Sequence, residues 1–189
     1  MQKEPDLLKW KTSFGIHPFA PAGHQQLSVL PLPGFNRYDG PMLGMALHNY
    51  ALPPSAFRFF LLPQLGFNSK KPTGTGYFCY TSYPENTWKQ IEWSVNAAHY
   101  SMMQARNLKG DKIFGSFSKF VPAVRLTLAP GSSGNGNTRW LEWKTFLIWE
   151  KGFNYALNTA DSQFYASAGK AAGRYVNQDR KSTRLNSSH

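Results

Sequence analysis

The stretch 36–68, NRYDGPMLGMALHNYALPPSAFRFFLLPQLGFN, carries two alternating segments on either side of a Pro-Pro turn. From Leu43 the odd positions Leu43, Met45 and Leu47 are apolar, while Gly44, Ala46 and His48 between them are small or polar. After Leu52-Pro53-Pro54-Ser55 the pattern resumes, with Phe57, Phe59, Leu61, Pro63, Leu65 and Phe67 on one face. Arg58, Gln64, Gly66 and Asn68 lie opposite, and Phe60 and Leu62 interrupt that polar side. A period of two sends successive side chains to opposite faces of a strand. About 9 to 11 tilted residues cross a bilayer, and strands of ordinary soluble proteins average about half that length. The stretch reads as a membrane hairpin, with strands predicted over 42–51 and 56–68.

The same rhythm extends in both directions. Upstream, 7–14 shows weak alternation and reads as an entering strand, and 25–32 alternates around Leu27, Val29 and Pro31 before the turn residues GFNRYDG. Downstream, 76–83 is an aromatic strand, and Pro84-Glu85-Asn86-Thr87 is a tight turn. Trp88 to Ser101 alternates most cleanly, with Ile91, Trp93, Val95 and Ala97 against Gln90, Glu92, Ser94 and Asn96. Segment 118–128 sets Phe120, Pro122, Val124, Leu126 and Leu128 against Lys119, Ala123, Arg125 and Thr127. Segment 139–150 sets Leu141, Trp143, Leu147 and Trp149 against Glu142, Lys144 and Glu150, with Phe146 and Ile148 spoiling strictness. A further strand begins at Tyr175-Val176-Asn177-Gln178.

The expected connections alternate in length. ALPPS, PENT and PGSSGNGN form a short set, interleaved with NSKKPT, MMQARNLKGDK and a loop over 151–172. Membrane barrels have short periplasmic turns and longer outer loops. Lys70, Lys71, Arg106, Lys109, Lys112, Lys151 and Lys170 all fall in the long set, and the short set holds no Lys or Arg. The fold predicted is all-β, an antiparallel up-and-down meander forming an incomplete transmembrane β-barrel of about seven to eight strands. Polar Arg58, Gln64, Glu92, Asn96, Lys119, Arg125, Glu142 and Lys144 would project into its interior.

Composition agrees. The 189 residues are 41% hydrophobic and 15% aromatic, enough to fold as one domain. No window approaches about 18 consecutive apolar residues, so a helical span is excluded, whereas barrel strands barely register on a mean hydropathy of -0.45. MQKEPDLLKWK is charged and does not resemble a signal peptide. The single Cys79 excludes an internal disulfide and a cysteine-rich zinc site.

Residues Asp179 to His189, DRKSTRLNSSH, translate a common short-read sequencing adapter codon for codon. They read as an artefact tail that interrupts the natural frame after Gln178. Removing Asp179, Arg180, Lys181 and Arg184 lowers the formal charge from +11 to +9, still basic. The expected organisation is 1–24 entering strand and loop, 25–178 partial barrel and 179–189 adapter tail, with an open edge where closing strands are cut away.

No catalytic, cofactor-binding or metal-ligating residue is assigned. HExxH, which places two imidazoles on one zinc with a carboxylate beside its water, is absent. His17, His24, His48 and His99 are far apart, each in a context that suits strand or loop. Asp39 beside Arg37 reads as a turn whose charges pair rather than as a catalytic carboxylate. Gly74-Thr75-Gly76 lacks the Lys-Ser or Lys-Thr of a phosphate loop and reads as easing a strand. Nucleic-acid binding is disfavoured because Lys and Arg gather in one set of connections while Trp and Phe lie on apolar faces. Trp88, Trp93, Trp140, Trp143 and Trp149 fall near strand ends or on those faces, as interface belts require and as a soluble core would also allow.

The run LPLPGFNRYDGPMLGMALHN, then AFRFFLLPQLGFNSKKPTGTGYFCYTSYP and the late YVNQ, resembles the C-terminal outer-membrane β-barrel region of Gram-negative gluzincin-type metallopeptidases over residues 8–178. The resemblance implies a fragment without the catalytic domain: a non-catalytic barrel anchoring a surface or periplasmic, aminopeptidase-like zinc enzyme in the outer membrane. Zinc would belong only to the missing upstream peptidase domain, since no zinc or catalytic position of that family matches here. Expected partners are that domain, outer-membrane lipid, and lipopolysaccharide phosphates at the basic loops. The alternative is a transport or export barrel with no peptidase link, and a soluble β-sandwich stands third.

Overall fold

The computed structural model describes residues 10–15, 19, 24–84, 88–128 and 138–184. His17, the turn residues 85–87 and the connection 130–137 lie outside the described residues, as do 1–9 and 185–189. Among the described residues nine strands form one sheet in chain order: β1 Trp10–Phe14, β2 Gln25–Asn36, β3 Gly40–His48, β4 Phe57–Gly66, β5 Pro72–Ser82, β6 Trp88–Arg106, β7 Lys112–Leu128, β8 Thr138–Asn158 and β9 Gln163–Arg184. From β2 to β9 every neighbouring pair is antiparallel, the meander expected from repeated alternation. β1 and β9 are the sheet's two edges and do not pair with each other, so the sheet is open.

The β1–β2 pair departs from the meander. It is parallel, with Trp10 opposite Gln25 and Phe14 opposite Val29. A two-residue hairpin cannot join parallel strands. The intervening chain is long enough to return to the end from which it started, and on its way Phe19 bridges Leu52 in the connection after β3.

One sheet face is shielded although no second layer of secondary structure covers it among the described residues. Ser28, Met42, Ala46, Gln64, Thr73, Cys79, Thr81, Ala123 and Glu142 are buried, and the registers and the period of two place all of them on the same face. The sheet shields that face by curling on itself, as the right-handed twist of a long antiparallel sheet allows. The shielded residues are largely polar or small. The opposite face exposes Leu43, Leu65, Phe78, Tyr80, Trp93, Phe120, Leu141 and Trp143.

The connections correct the expected loop lengths. Segment 151–172 is no loop: β8 continues to Asn158, and β9 starts at Gln163 after a turn. MMQARNLKGDK is mostly strand too, with β6 reaching Arg106 and β7 starting at Lys112. Pro72, Thr73 and Gly74 of the expected NSKKPTG loop belong to β5. The connections on the basic end are therefore the tight ones, 37–39, 67–71, 107–111 and 159–162, and those at the other end, 49–56, 83–87 and 129–137, are as long or longer. The growth along the chain is real but is built as strand. Beyond the row Pro63–Gly74–His99–Ser118–Trp149–Gly173, β4 stops at Gly66, whereas β8 and β9 project to Asn158 and Gln163. Antiparallel pairing satisfies the backbone of such an arm whether or not either face is apolar.

Candidate functional site: a polar concave face inside an apolar shell

At the end of the sheet opposite the basic turns, the registers set Thr81, Glu92, Arg125 and Glu142 side by side across β5 to β8. The neighbouring row runs Arg58, Cys79, Ser94, Ala123 and Lys144. Because residues directly opposite in adjacent strands share a face, cations and carboxylates from strands remote in sequence meet. Arg58 Nη2 donates to Glu92 Oε2 at 3.1 Å, to Thr81 Oγ1 at 3.0 Å and to Cys79 Sγ at 3.1 Å. Glu142 is held by two cations, with Arg125 Nη2 at 3.2 Å on one oxygen and Lys144 Nζ at 2.9 Å on the other. The Arg125 guanidinium also lies 4.8 Å from the centre of the Trp140 ring, close enough for a cation–π contact.

Of the residues expected inside, Arg58 and Glu92 meet in one pair, and Arg125, Glu142 and Lys144 meet in a second group. Asn96 and Lys119 share the face but stand outside both groups. Gln64 is buried against β2 and β3, where Gly34 and Gly44 leave room for it: a Cβ on Gly34 would fall 2.6 Å from Gln64 Nε2, and one on Gly44 2.5 Å from Gln64 Cγ. Trp140, near the start of β8, lies beside Arg125 on the polar face. Cys79 and Thr81 were not anticipated; the register of β4 on β5, which puts Cys79 directly across from Arg58, is the signal that finds them.

A second construction closes the other end. Asp39 is fully buried, and its carboxylate accepts the backbone N–H of Ser101 at 3.0 Å, while Asn36 Nδ2 donates to the Ser101 carbonyl at 3.1 Å. β5 starts at Pro72 and pairs with β6 only as far as His99, so the strand that would take these Ser101 groups is missing. The 37–39 turn replaces it from across β4 and β5. Arg37 does not pair with Asp39, contrary to the reading of the turn; its guanidinium lies 6.0 Å from the centre of the Tyr38 ring.

On the outer face, Phe57, Tyr80, Trp93, Val124 and Trp143 form one row across five strands. Trp93 and Trp143 are each 55% exposed. With Phe78, Val95 and Pro122 they line a shallow cavity of about 350 Å³ whose walls are almost wholly apolar. Toward the basic end the face continues through Leu43, Met45, Leu65 and Phe67, all exposed.

Among the described residues, His48 and His99 make separate contacts. His48 in β3 stacks on Phe60 and accepts the Tyr50 N–H on Nδ1 at 3.3 Å, and a ring nitrogen of His99 in β6 is 2.7 Å from Ser118 Oγ. Gly74-Thr75-Gly76 lies inside β5, where Gly74 has φ of +145° and packs against the Leu62 carbonyl. Among the described residues no group of three or more His, Cys, Asp or Glu is placed to hold a metal ion. No family model, curated protein or solved structure matches the chain.

Proposed function

We propose that the chain is the membrane-embedded part of an outer-membrane β-barrel of a Gram-negative bacterium, acting as a non-catalytic anchor. The observation that carries this reading is the distribution of polarity: the charged groups Arg58, Glu92, Arg125, Glu142 and Lys144 gather on the concave face, interspersed with Phe60, Leu62, Phe146 and Ile148, and aromatic and aliphatic side chains cover the convex one. Soluble monomers rarely expose contiguous apolar patches beyond a few hundred Å², and barrels in lipid alternate apolar outside with polar inside. The dimensions agree. From Phe57 to Phe67 the chain advances about 33 Å at about 3.3 Å per residue, or about 25 Å along the normal for a strand tilted about 40°, the height of a lipid-facing band. Trp93, Trp143 and Tyr80 then sit at one interface, where amphipathic rings are favoured, and the basic turns lie toward lipid phosphates at the other.

The anchoring role over a transport role is favoured by the interior charges. Glu142 is neutralised by Arg125 and Lys144, and Glu92 by Arg58, so the groups brace strands to one another instead of presenting a free ring to a passing solute. The load we assign to the anchor, a zinc metallopeptidase of gluzincin type, rests on the resemblance of the NRYDG, LGxALHN and FxLxPQxGF runs. Reading the gene through both ends tests it: an in-frame HExxH region upstream supports the peptidase, and a plug or assembly domain in its place removes the link.

The membrane assignment is tested by refolding the chain into vesicles whose lipids carry bromine on their acyl chains. Fluorescence from Trp93, Trp143 and Trp149, all exposed on the outer face, is expected to be quenched, and the W93F/W143F/W149F variant to lose most of the quenching. Recovery of a detergent-free, monomeric protein that unfolds cooperatively overturns the assignment.

A further inference from the structure

The basic end contains a cavity that an anchor does not require. The 67–71 turn, the start of β7 and the β8–β9 arm enclose about 420 Å³, lined by Lys70, Lys71, Lys112 and Lys151 together with Phe114 and Phe153. No carboxylate lines it, and none of the four lysines enters an ion pair among the described residues. The cations at the other end of the sheet behave differently, since Arg58, Arg125 and Lys144 each hold a glutamate. Four lysines line one space without a carboxylate among the lining residues, so an anion supplied from outside is attracted to it.

The local backbone is committed to this arrangement. Lys70 adopts φ of +53°, a left-handed conformation that glycine or asparagine takes at less cost. The turn fixes it there, with the Lys70 N–H donating to the Gly66 carbonyl at 2.9 Å and the Gly66 N–H to the Lys71 carbonyl at 3.1 Å. Lys71 Nζ donates to the Phe114 carbonyl at 3.2 Å and lies 5.9 Å from the centre of that ring, which ties the turn to β7 and keeps an ammonium at the cavity wall.

We infer that this cavity is a binding site for a phosphate-bearing group, the phosphate held by Lys70, Lys71, Lys112 and Lys151 and the remainder of the headgroup against Phe114 and Phe153. Ammonium groups serve phosphate as mobile point charges without demanding a fixed bidentate geometry. The volume exceeds that of bare phosphate and falls in the range of small-molecule sites. The aromatic walls suit a sugar or glycerol attached to the phosphate. The site rests on the cavity and its charges, apart from the bilayer reading.

Titration calorimetry of the full chain in zwitterionic micelles, first with inorganic pyrophosphate and then with glucose 1-phosphate, tests the site. Saturable binding is expected, weakened at least tenfold by K112Q/K151Q, restored by K112R/K151R, and unchanged by K89Q/R139Q, which removes the same charge at the opposite end of the sheet. Phosphatidic acid added to the micelles identifies the source: displacement of bound pyrophosphate assigns the site to a lipid headgroup, and undisturbed binding assigns it to a soluble phosphate compound. Absence of saturable binding, or equal losses in the two glutamine variants, overturns the site.

Discussion

The Asp39 carboxylate reaches the backbone N–H of Ser101 at 3.0 Å across two intervening strands. One oxygen makes this bond and the other, equally buried, has no partner. Acceptance rather than charge should therefore be what the fold uses. D39A leaves a buried N–H unsatisfied, at a cost of about 1–3 kcal/mol, whereas D39N keeps an acceptor and should lose less than about half of that. Urea midpoints of the micelle-folded variants compare the two. Equal losses would show that the charge itself is required.

Glu142 should be the most sensitive of the interior charges. Its side chain is 8% exposed, and its removal leaves Arg125 and Lys144 close together without a counterion. Arg125 is 41% exposed, so water screens part of the penalty. E142A is expected to cost about 2 kcal/mol, and R174A, which breaks the exposed Arg174–Glu150 pair, less than about 0.5 kcal/mol. Equilibrium unfolding of the two variants under one condition checks the ranking.

The alternation that makes this fold legible comes from its apolar face. Where Phe57 to Phe67 and Ile91 to Ala97 place apolar residues at every second position, strand and face follow from the sequence. The signal fades in YALNTADSQFYASAGKAAG, where β8 and β9 form a projecting arm whose small and polar residues carry no period, although the two strands pair from Phe153–Ala168 out to Asn158–Gln163. It is broken as well by register shifts between Ser101 and Met103 and between Lys151 and Phe153. An extra residue there reverses which positions face inward, and both shifts fall where loops were expected. The partners within the interior group follow from register, which the sequence of one strand does not contain: Arg58 finds Glu92 only once β4, β5 and β6 are aligned. The lysine cavity was visible as a basic set of loops, and its convergence depended on the 67–71 turn reaching β7.

Gly74 makes a close strand contact possible. A Cβ there would lie 2.2 Å from the Leu62 carbonyl oxygen, and the φ of +145° disfavours any L side chain. Neither obstacle relaxes without shifting β5 off β4. G74A is expected to cost about 2–4 kcal/mol from strain and overpacking together. G110A, at φ of +83° with nothing within 4 Å, bears the conformational cost alone and should lose about 1 kcal/mol. A G74A protein as stable as G110A would mean that the two strands are not packed this closely.

The tip of the β8–β9 arm should loosen in acid. Asp161 is exposed, yet the Tyr165 hydroxyl and the Gln163 N–H both donate to its carboxylate, the latter at 3.0 Å. The Tyr165 hydrogen bond, foremost, and the backbone donors hold the Asp161 pKa below its ordinary value, and the same bond raises that of Tyr165. A depressed carboxylate pKa contributes stability that is fully present above the unfolded-state value and is lost as pH falls through the lowered folded-state value. Amide exchange at Gln163 should therefore be protected at neutral pH and lose that protection below the usual aspartate range, after correction for intrinsic exchange. In D161N the protection should show no acid step, because no carboxylate remains to titrate. An acid step of the same size in D161N would trace the loosening to another group.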